Sequence, residues 1–137
     1  MTTDDGYILT MHRIPGSQKE DENIDRKKAP LLFMHGLADS STAWVVNTLE
    51  KAPALVAASQ GYDVWLGNFR GNKFAKENTK LDPEKNKDEF WDFSFPEMAN
   101  HDAIGIIEYI KEETGYNKVG YIGHSMATTV MFYLSAS

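Results

Sequence analysis

Three short apolar segments, separated by helix-like segments, constrain the fold of this chain more than any other feature. Residues 31–34, 62–66 and 118–122 are predicted strands, and the first two are apolar enough to be buried on both faces. A helix is predicted to begin at Pro53 and to end just before Gly61. Strands that alternate with helices favour an α/β fold with a mostly parallel sheet and right-handed crossovers.

The strongest helix signal lies between residues 94 and 115. Ser94 and Glu97 have the spacing of a capping box, in which each side chain satisfies a backbone N–H of the other residue. Gly115 is the expected end of the helix, because glycine tolerates the left-handed conformation found there. The apolar residues between these signals share one face of the helix: Ala99, Ala103, Ile106, Ile107 and Ile110.

Weaker signals complete the secondary-structure prediction. Residues 7–14 are partly alternating and rich in strand-forming side chains, so one strand is expected there, ending at Pro15. Residues 17–28 are almost wholly polar and predict a solvated loop. Residues 128–134 favour a helix, although their threonine and valine residues weaken the signal.

Composition and charge restrict the classes of function. A chain of 137 residues that is 42% hydrophobic predicts one domain over residues 1–137. A net charge of −6 argues against nucleic acid as a partner, and the absence of cysteine excludes disulfides and thiolate metal sites. No histidine pair has a metal-binding spacing, so no metal and no cofactor are expected. No signal peptide and no transmembrane segment are evident, which leaves the compartment undetermined.

The third predicted strand leads directly into the segment Gly123-His124-Ser125-Met126-Ala127. A strand, a tight turn with serine between small residues, and then a helix are typical of a nucleophile elbow. Ser125 is therefore the candidate catalytic nucleophile, although an ordinary strand–helix corner with a surface serine is the alternative. Gly123 allows the close approach of strand and helix, whereas Ala127 adds a methyl group where glycine is usual.

An elbow of this kind needs two backbone donors for the negative charge that develops on the substrate oxygen. Met126 follows the nucleophile, so its N–H is the first candidate for the oxyanion hole. Leu37, in the loop after the first predicted strand, is the preferred source of the second N–H. His35 opens that loop and is expected to pack there or to fix the loop by hydrogen bonds, and not to act in catalysis.

The remaining histidines have simpler interpretations. The side chain of His124 is expected to point away from the Ser125 hydroxyl, because the two residues are adjacent in a tight turn. His12 and His101 are expected at the surface or at a sheet edge.

Several segments together resemble the acid lipase family, the α/β-hydrolases that include gastric lipase and lysosomal acid lipase. The resemblance implies an α/β-hydrolase fold and hydrolysis of neutral-lipid esters, either triacylglycerols or steryl esters, by a Ser-Asp-His triad without a metal. It implies Ser125 as nucleophile and Leu37 and Met126 as oxyanion donors, although family members usually have Gln and Gly where Met126 and Ala127 stand. The matching segments are 3–9, 12–15, 35–37, 39–41, 44–45, 61–68, 70–72, 88–91, 93–95 and 97–99, with Asn47 and Asp102.

The chain also departs from the family in length. In this fold the triad follows the order Ser, Asp, His, yet residues 126–137 contain no Asp, Glu or His. We therefore expect an incomplete α/β-hydrolase fold, the N-terminal half up to the elbow, without useful activity alone. The strand before the elbow is then an open edge that another chain is expected to cover. The helix that carries Ile106 and Ile110 is expected to lack part of its packing.

Three functional hypotheses follow from these observations. The first is the N-terminal portion of a lipase, and the second is a catalytically dead subunit with a structural or interaction role. The third is an esterase of the same fold that acts on small esters. The resemblance implies a secreted or lysosomal protein.

Overall fold

The computed structural model describes residues 1–16 and 27–136. Within these residues, four strands form the main sheet: β2 (His12–Ile14), β3 (Pro30–Met34), β4 (Asp63–Leu66) and β6 (Gly120–Gly123). Their order is β2-β4-β3-β6, with β3 parallel to both of its neighbours and β2 antiparallel to β4 at one edge. The predicted mostly parallel sheet is confirmed, whereas most of the predicted loop 17–28 lies outside the described residues.

Alternate side chains of β3 and β4 pack on opposite faces of the sheet. Leu32, Met34 and Trp65 belong to one buried cluster, which also contains the apolar face of the long helix. Phe33 and Val64 belong to a second cluster, which contains the buried alanines of the first helix. Since both faces are covered, the strands are continuously apolar, as the sequence predicts. Each fully buried side chain of this size stabilises the fold by about 1.5–3 kcal/mol relative to exposure.

The N-terminal segment forms two strands where the sequence predicts one. β1 (Tyr7–Ile8) pairs antiparallel with β5 (Glu77–Asn78) in a separate two-stranded sheet, and β2 follows it in the main sheet. Leu9 lies between them, fully buried, and its N–H donates to the carbonyl of Met1 at 2.9 Å. The prediction of one strand is wrong. The hydrophobic pattern of an extended segment does not show where its hydrogen-bonding partner changes, as it does between β1 and β2.

The part of the chain that the structure describes contains five α-helical segments: α1 (Pro53–Ser59), α2 (Lys87–Phe90), α3 (Phe95–Glu97), α4 (Ile104–Thr114) and α5 (Met126–Ala136). A short 3-10 helix (Ser41–Trp44) follows β3. The predicted first helix is confirmed, and Gly61 after it has φ +92°. The capping box is confirmed too, because the Ser94 N–H donates to Glu97 Oε2 at 2.8 Å. Gly115 ends α4 with φ +68°.

α3 and α4 are joined by a π-helical turn (Met98–Ala103). The wider turn places Asp102 in the interior beside Ala103, and both are fully buried. Ile106 and Ile110 are also fully buried, so the expected loss of packing around this helix is wrong. Both side chains belong to a buried cluster that also contains Leu32 and Met34 of β3 and Ala127 and Val130 of the last helix. α5 extends beyond the predicted range 128–134 at both ends.

None of the helices within the described residues has the length and apolar character needed to cross a bilayer.

Candidate active site at the turn between β6 and α5

Ser125 lies between the last residue of β6 and the first residue of α5. Its backbone has φ +53°, a left-handed conformation that is uncommon for any residue other than glycine. Such strain persists only where the surrounding structure imposes it, and it occurs mainly at functional sites. The side chain is solvent-exposed, and the N-terminal N–H groups of α5 face the same end of the sheet. The backbone therefore has the geometry that a nucleophile elbow requires.

The close contact between strand and helix explains why Gly123 is required. A Cβ at this position would lie 2.8 Å from Cε1 of Tyr121 and 3.1 Å from the backbone carbon of Ala127. Ala127 itself is fully buried, so its methyl group is accommodated. The Tyr121 hydroxyl donates to the Ala127 carbonyl at 2.9 Å, and burial raises the pKa of this phenol.

Replacing Gly123 with alanine is expected to lower the free energy of unfolding by about 1–3 kcal/mol, because the new methyl group meets the helix backbone. Urea unfolding followed by circular dichroism measures the change. Gly105→Ala is the matched control, since a Cβ there meets only the flexible end of Met1. In a helix interior this change stabilises by up to about 1 kcal/mol. Equal effects of the two substitutions would contradict the role given to Gly123.

The loop after β3 lies against the elbow. The His124 N–H donates to the Met34 carbonyl at 3.1 Å, which joins the ends of the two strands. A Cβ on Gly36 would lie 3.2 Å from Cβ of Ser125 and 3.0 Å from Nδ1 of His124, so any side chain at position 36 would push these neighbours by a few tenths of an ångström. The structure thus brings the loop that contains Leu37 next to Ser125.

The two predicted oxyanion donors both lie at this junction. Leu37 follows Gly36 in the loop, and Met126 is the first residue of α5. Within the described part of the chain, neither N–H donates a hydrogen bond to another group. Both donors thus remain compatible with a substrate oxygen as acceptor, and their role in an oxyanion hole remains a prediction.

His35 forms the hydrogen bonds that the sequence predicts for the start of this loop. Its ring is 2% exposed, and Nδ1 lies 2.8 Å from the carbonyl oxygen of Gly36. On the other side of the ring, Nε2 accepts the Phe69 N–H at 3.0 Å and lies 3.0 Å from Nδ2 of Asn72. Burial lowers the pKa of His35, because the charged imidazolium would be poorly solvated there.

The lowered pKa of His35 predicts a loss of stability in acid. The unfolded chain takes up a proton on this residue near pH 6.5, whereas the folded chain does not, so unfolding becomes more favourable as pH falls below about 6.5. The contribution is at most about 1.4 kcal/mol per pH unit for one group. Urea midpoints at pH 7.5 and 5.5 for the wild type and His35→Gln isolate the effect. If the urea midpoint of the wild type fell between pH 7.5 and 5.5 by no more than that of His35→Gln, this role of His35 would be contradicted.

The other histidines are exposed or partly exposed. His124 is exposed, and His12 lies exposed on the edge strand β2 with its ring against Phe74. His101 is half-exposed, and its Nδ1 lies 2.6 Å from a carboxylate oxygen of Asp4. Among the described residues, no imidazole and no carboxylate forms a hydrogen bond with the Ser125 hydroxyl.

An ion-pair network around the buried Arg70 was not predicted from the sequence. The Arg70 guanidinium contacts Asp5 at 2.6 and 2.9 Å and Asp102 at 2.8 Å, and lies 4.0 Å from the ring centre of Tyr7. The Arg70 N–H also donates to Asp102 at 2.9 Å. Asp102 belongs to the acid lipase resemblance, but no local signal pairs it with an arginine 32 residues away.

Two family models match this chain. A family model described as "Partial alpha/beta-hydrolase lipase region" matches residues 1–48, and one described as "alpha/beta hydrolase fold" matches residues 29–137. The chain belongs to the α/β-hydrolase fold family. The fold predicted from the sequence is therefore confirmed.

The relatives of this α/β-hydrolase chain include several lipases. It is 44% identical over 132 residues to gastric triacylglycerol lipase of Mus musculus and 46% identical over 133 residues to the lipase lipl-1 of Caenorhabditis elegans. The alignments cover 96% of this chain but only 33% and 32% of those relatives. The resemblance to gastric lipases is confirmed, and the chain spans about a third of the length of the curated relatives it matches.

A solved structure shares the fold at low sequence identity. A hypothetical protein of Pseudomonas aeruginosa PAO1 superposes with a TM-score of 0.55 and 17% identity. The match covers 91% of this chain and 33% of that protein.

Three acidic or imidazole side chains of this α/β-hydrolase chain lie close enough together to be compared with a metal site. The ligand atoms of Asp4, Asp5 and His101 lie within 4.8 Å of one another. Burial raises the pKa of Asp5, but hydrogen bonds from Arg70 and Thr3 together hold it below its ordinary value. Both carboxylate oxygens of Asp5 accept from Arg70, so a cation would have to displace a guanidinium. The cluster is better explained as part of the ion-pair network.

An open cleft adjoins the loop that contains Leu37. Its volume is about 630 Å³, and its walls combine small apolar groups with two lysines. The side chain of Leu37 is 74% exposed beside it. The cleft is lined by Ala38, Asp39, Ser40, Thr42, Ala43, Val46, Gly71, Asn72, Lys73 and Lys76.

Proposed function

We propose that this chain supplies the nucleophile and the oxyanion donors of a lipase that hydrolyses neutral-lipid esters. The observation that carries the proposal is the left-handed backbone of Ser125 at a strand–helix turn, against which the Gly36–Leu37 segment packs. The names of the relatives support a lipase more than a catalytically dead structural subunit. Triacylglycerols and steryl esters are the proposed substrate class.

In the proposed mechanism, the Ser125 oxygen attacks the ester carbonyl carbon and its proton passes to a base. The carbonyl oxygen becomes an oxyanion that accepts hydrogen bonds from the N–H groups of Leu37 and Met126. The alcohol leaves with a proton from the same base, and water then releases the fatty acid from the acyl-serine. Because the chain spans a third of its relatives, we propose that the base, an Asp–His pair, lies outside residues 1–137.

The predicted partner chain belongs to the same proposal. β6 lies at one end of the main sheet as the structure describes it, and we propose that a further strand pairs there. Multi-angle light scattering of the purified gene product tests whether that strand comes from a second copy. A monodisperse monomer would exclude a second copy.

The whole product of the gene tests the proposed function directly. Incubation with a fluorophosphonate, followed by mass mapping of peptides, is expected to place one adduct on Ser125. Hydrolysis of emulsified triolein is expected to exceed that of a water-soluble butyrate ester. Absence of both labelling and turnover would favour the structural subunit. A preference for the soluble ester would favour the small-ester esterase.

A further inference from the structure

We propose that His35 is a positioning residue that aims the Leu37 N–H at the substrate oxygen by holding the peptide group between Gly36 and Leu37. The proposal rests on the proposed function of Leu37 as an oxyanion donor. Among the described residues, the hydrogen bonds of His35 join it to Gly36, Phe69 and Asn72 and not to Ser125, so it acts through the backbone of its own loop. The evidence for this role is that both ring nitrogens of His35 form hydrogen bonds.

Two hydrogen bonds hold the peptide group between Gly36 and Leu37. The Gly36 carbonyl oxygen accepts from Nδ1–H of His35 at 2.8 Å and from the N–H of Asp39 at 3.3 Å. No cis peptide bond occurs in the described chain, so the Gly36 carbonyl and the Leu37 N–H point in opposite directions across one planar group. Two donors that hold the carbonyl therefore also fix the direction of the N–H.

The hydrogen bonds of the His35 ring determine which of its nitrogens carries the proton. Nε2 of His35 accepts the buried Phe69 N–H at 3.0 Å, so it cannot carry a proton itself. The proton must lie on Nδ1, which is the nitrogen that faces the Gly36 carbonyl. The amide group of Asn72 lies 3.0 Å from the same Nε2 and donates to it in this tautomer.

Hydrogen bonds through Asn72 and Asn68 connect the His35 ring in this tautomer to other segments of the molecule. Nδ2 of Asn72 also donates to Oδ1 of Asn68 at 2.8 Å. Asn68 is fully buried, accepts the Ser41 N–H at 2.9 Å and donates to the Thr10 carbonyl at 2.9 Å. The orientation of the His35 ring is thus tied to the edge of the main sheet and to the 3-10 helix.

The two ring nitrogens have separable tasks, and two substitutions separate them. Glutamine at position 35 places an acceptor near Nε2 but loses the donor to the Gly36 carbonyl. Asparagine places a donor near Nδ1 but leaves the Phe69 N–H without its acceptor. A merely structural role predicts that activity follows stability, whereas the positioning role predicts that the two diverge.

The experiment compares His35→Gln and His35→Asn in the whole gene product. We expect His35→Gln to lower kcat for ester hydrolysis by about 10- to 100-fold with KM unchanged, somewhat less than complete loss of an oxyanion donor. We expect His35→Asn to recover most of that loss in kcat although its urea midpoint is the lower of the two. A wild-type kcat in folded His35→Gln, or losses of kcat that follow the urea midpoints, would overturn the proposal.

A second measurement does not depend on turnover. In the ¹⁵N–¹H spectrum, His35→Gln is expected to shift the Leu37 amide and leave the Met126 amide in place, whereas His35→Asn leaves both near their wild-type positions. If the wild type shows no ester turnover, the proposed function fails. The chemical shift of the Leu37 amide still tests whether His35 positions this peptide group. An unshifted Leu37 amide in His35→Gln would overturn it.

Discussion

Replacing Ser125 with alanine is expected to lower kcat for ester hydrolysis by about 10⁶-fold, by analogy with loss of the nucleophile in other serine hydrolases. The oxyanion donors remain in the variant, so a residual rate about 10³–10⁴ above that of water is expected. The fold is expected to persist or to gain slightly, since alanine removes no hydrogen bond made within the described residues. Initial rates on a chromogenic ester, with the whole gene product, measure the change.

Ser135→Ala is the matched control for this prediction. Ser135 lies on α5, the helix that begins directly after Ser125; it is exposed, and its hydroxyl donates to the Met131 carbonyl at 2.8 Å. Its removal is expected to leave kcat and fluorophosphonate labelling unchanged. Activity that survives in Ser125→Ala, or that disappears in both variants, would refute the assignment of Ser125.

Replacing Arg70 with methionine is expected to lower the free energy of unfolding by about 3–5 kcal/mol, the usual cost of leaving a buried charge without its partner. The side chains of Arg70 and Asp102 are 1% and 0% exposed, so water cannot replace the lost contacts. Bonds to Asp5 and Asp102 outweigh the burial of the guanidinium and hold the pKa of Arg70 above its ordinary value. Urea unfolding followed by tryptophan fluorescence measures the loss.

Two further variants separate charge from packing. Asp102→Asn, added to Arg70→Met, removes the uncompensated charge and is expected to restore part of the stability. Arg13→Met is the control at a pair in which only the acid is buried, because Arg13 is 41% exposed whereas Asp63 is 6% exposed and keeps a hydrogen bond from Trp65. Its cost is expected to be smaller than that of Arg70→Met, because the guanidinium that is removed is partly exposed to water. If Arg13→Met and Arg70→Met lowered the free energy of unfolding equally, burial of Arg70 would not explain the expected loss.

Local signals explain the parts of the fold that were predicted correctly. The capping box of Ser94 and Glu97 and the helix end at Gly115 depend on residues a few positions apart. The elbow is equally local, because Gly123 and Ser125 adopt their conformations through the strand and helix that directly flank them. Patterns of this kind can be recognised in one sequence without knowledge of the tertiary structure.

Residues distant in sequence explain what was missed or wrong. The division of residues 7–14 into β1 and β2 depends on pairing with Glu77–Asn78 and with β4. Asp102 becomes a buried partner of Arg70 only through the π-helical turn. That residues 1–137 act as one domain, and that Ser125, Leu37 and Met126 act together in catalysis, remain predictions.

The sequence by itself determined the alternation of the three central strands with helices and the turn that holds Ser125, because short-range spacing and the backbone preferences of glycine and proline decide these features. The family was indicated separately, by the resemblance of many segments to acid lipases. Only the tertiary structure decided which nitrogen of His35 faces the Gly36 carbonyl and which carboxylates pair with Arg70. The physical reason is that buried polar groups must satisfy one another across the core, whatever their separation along the chain.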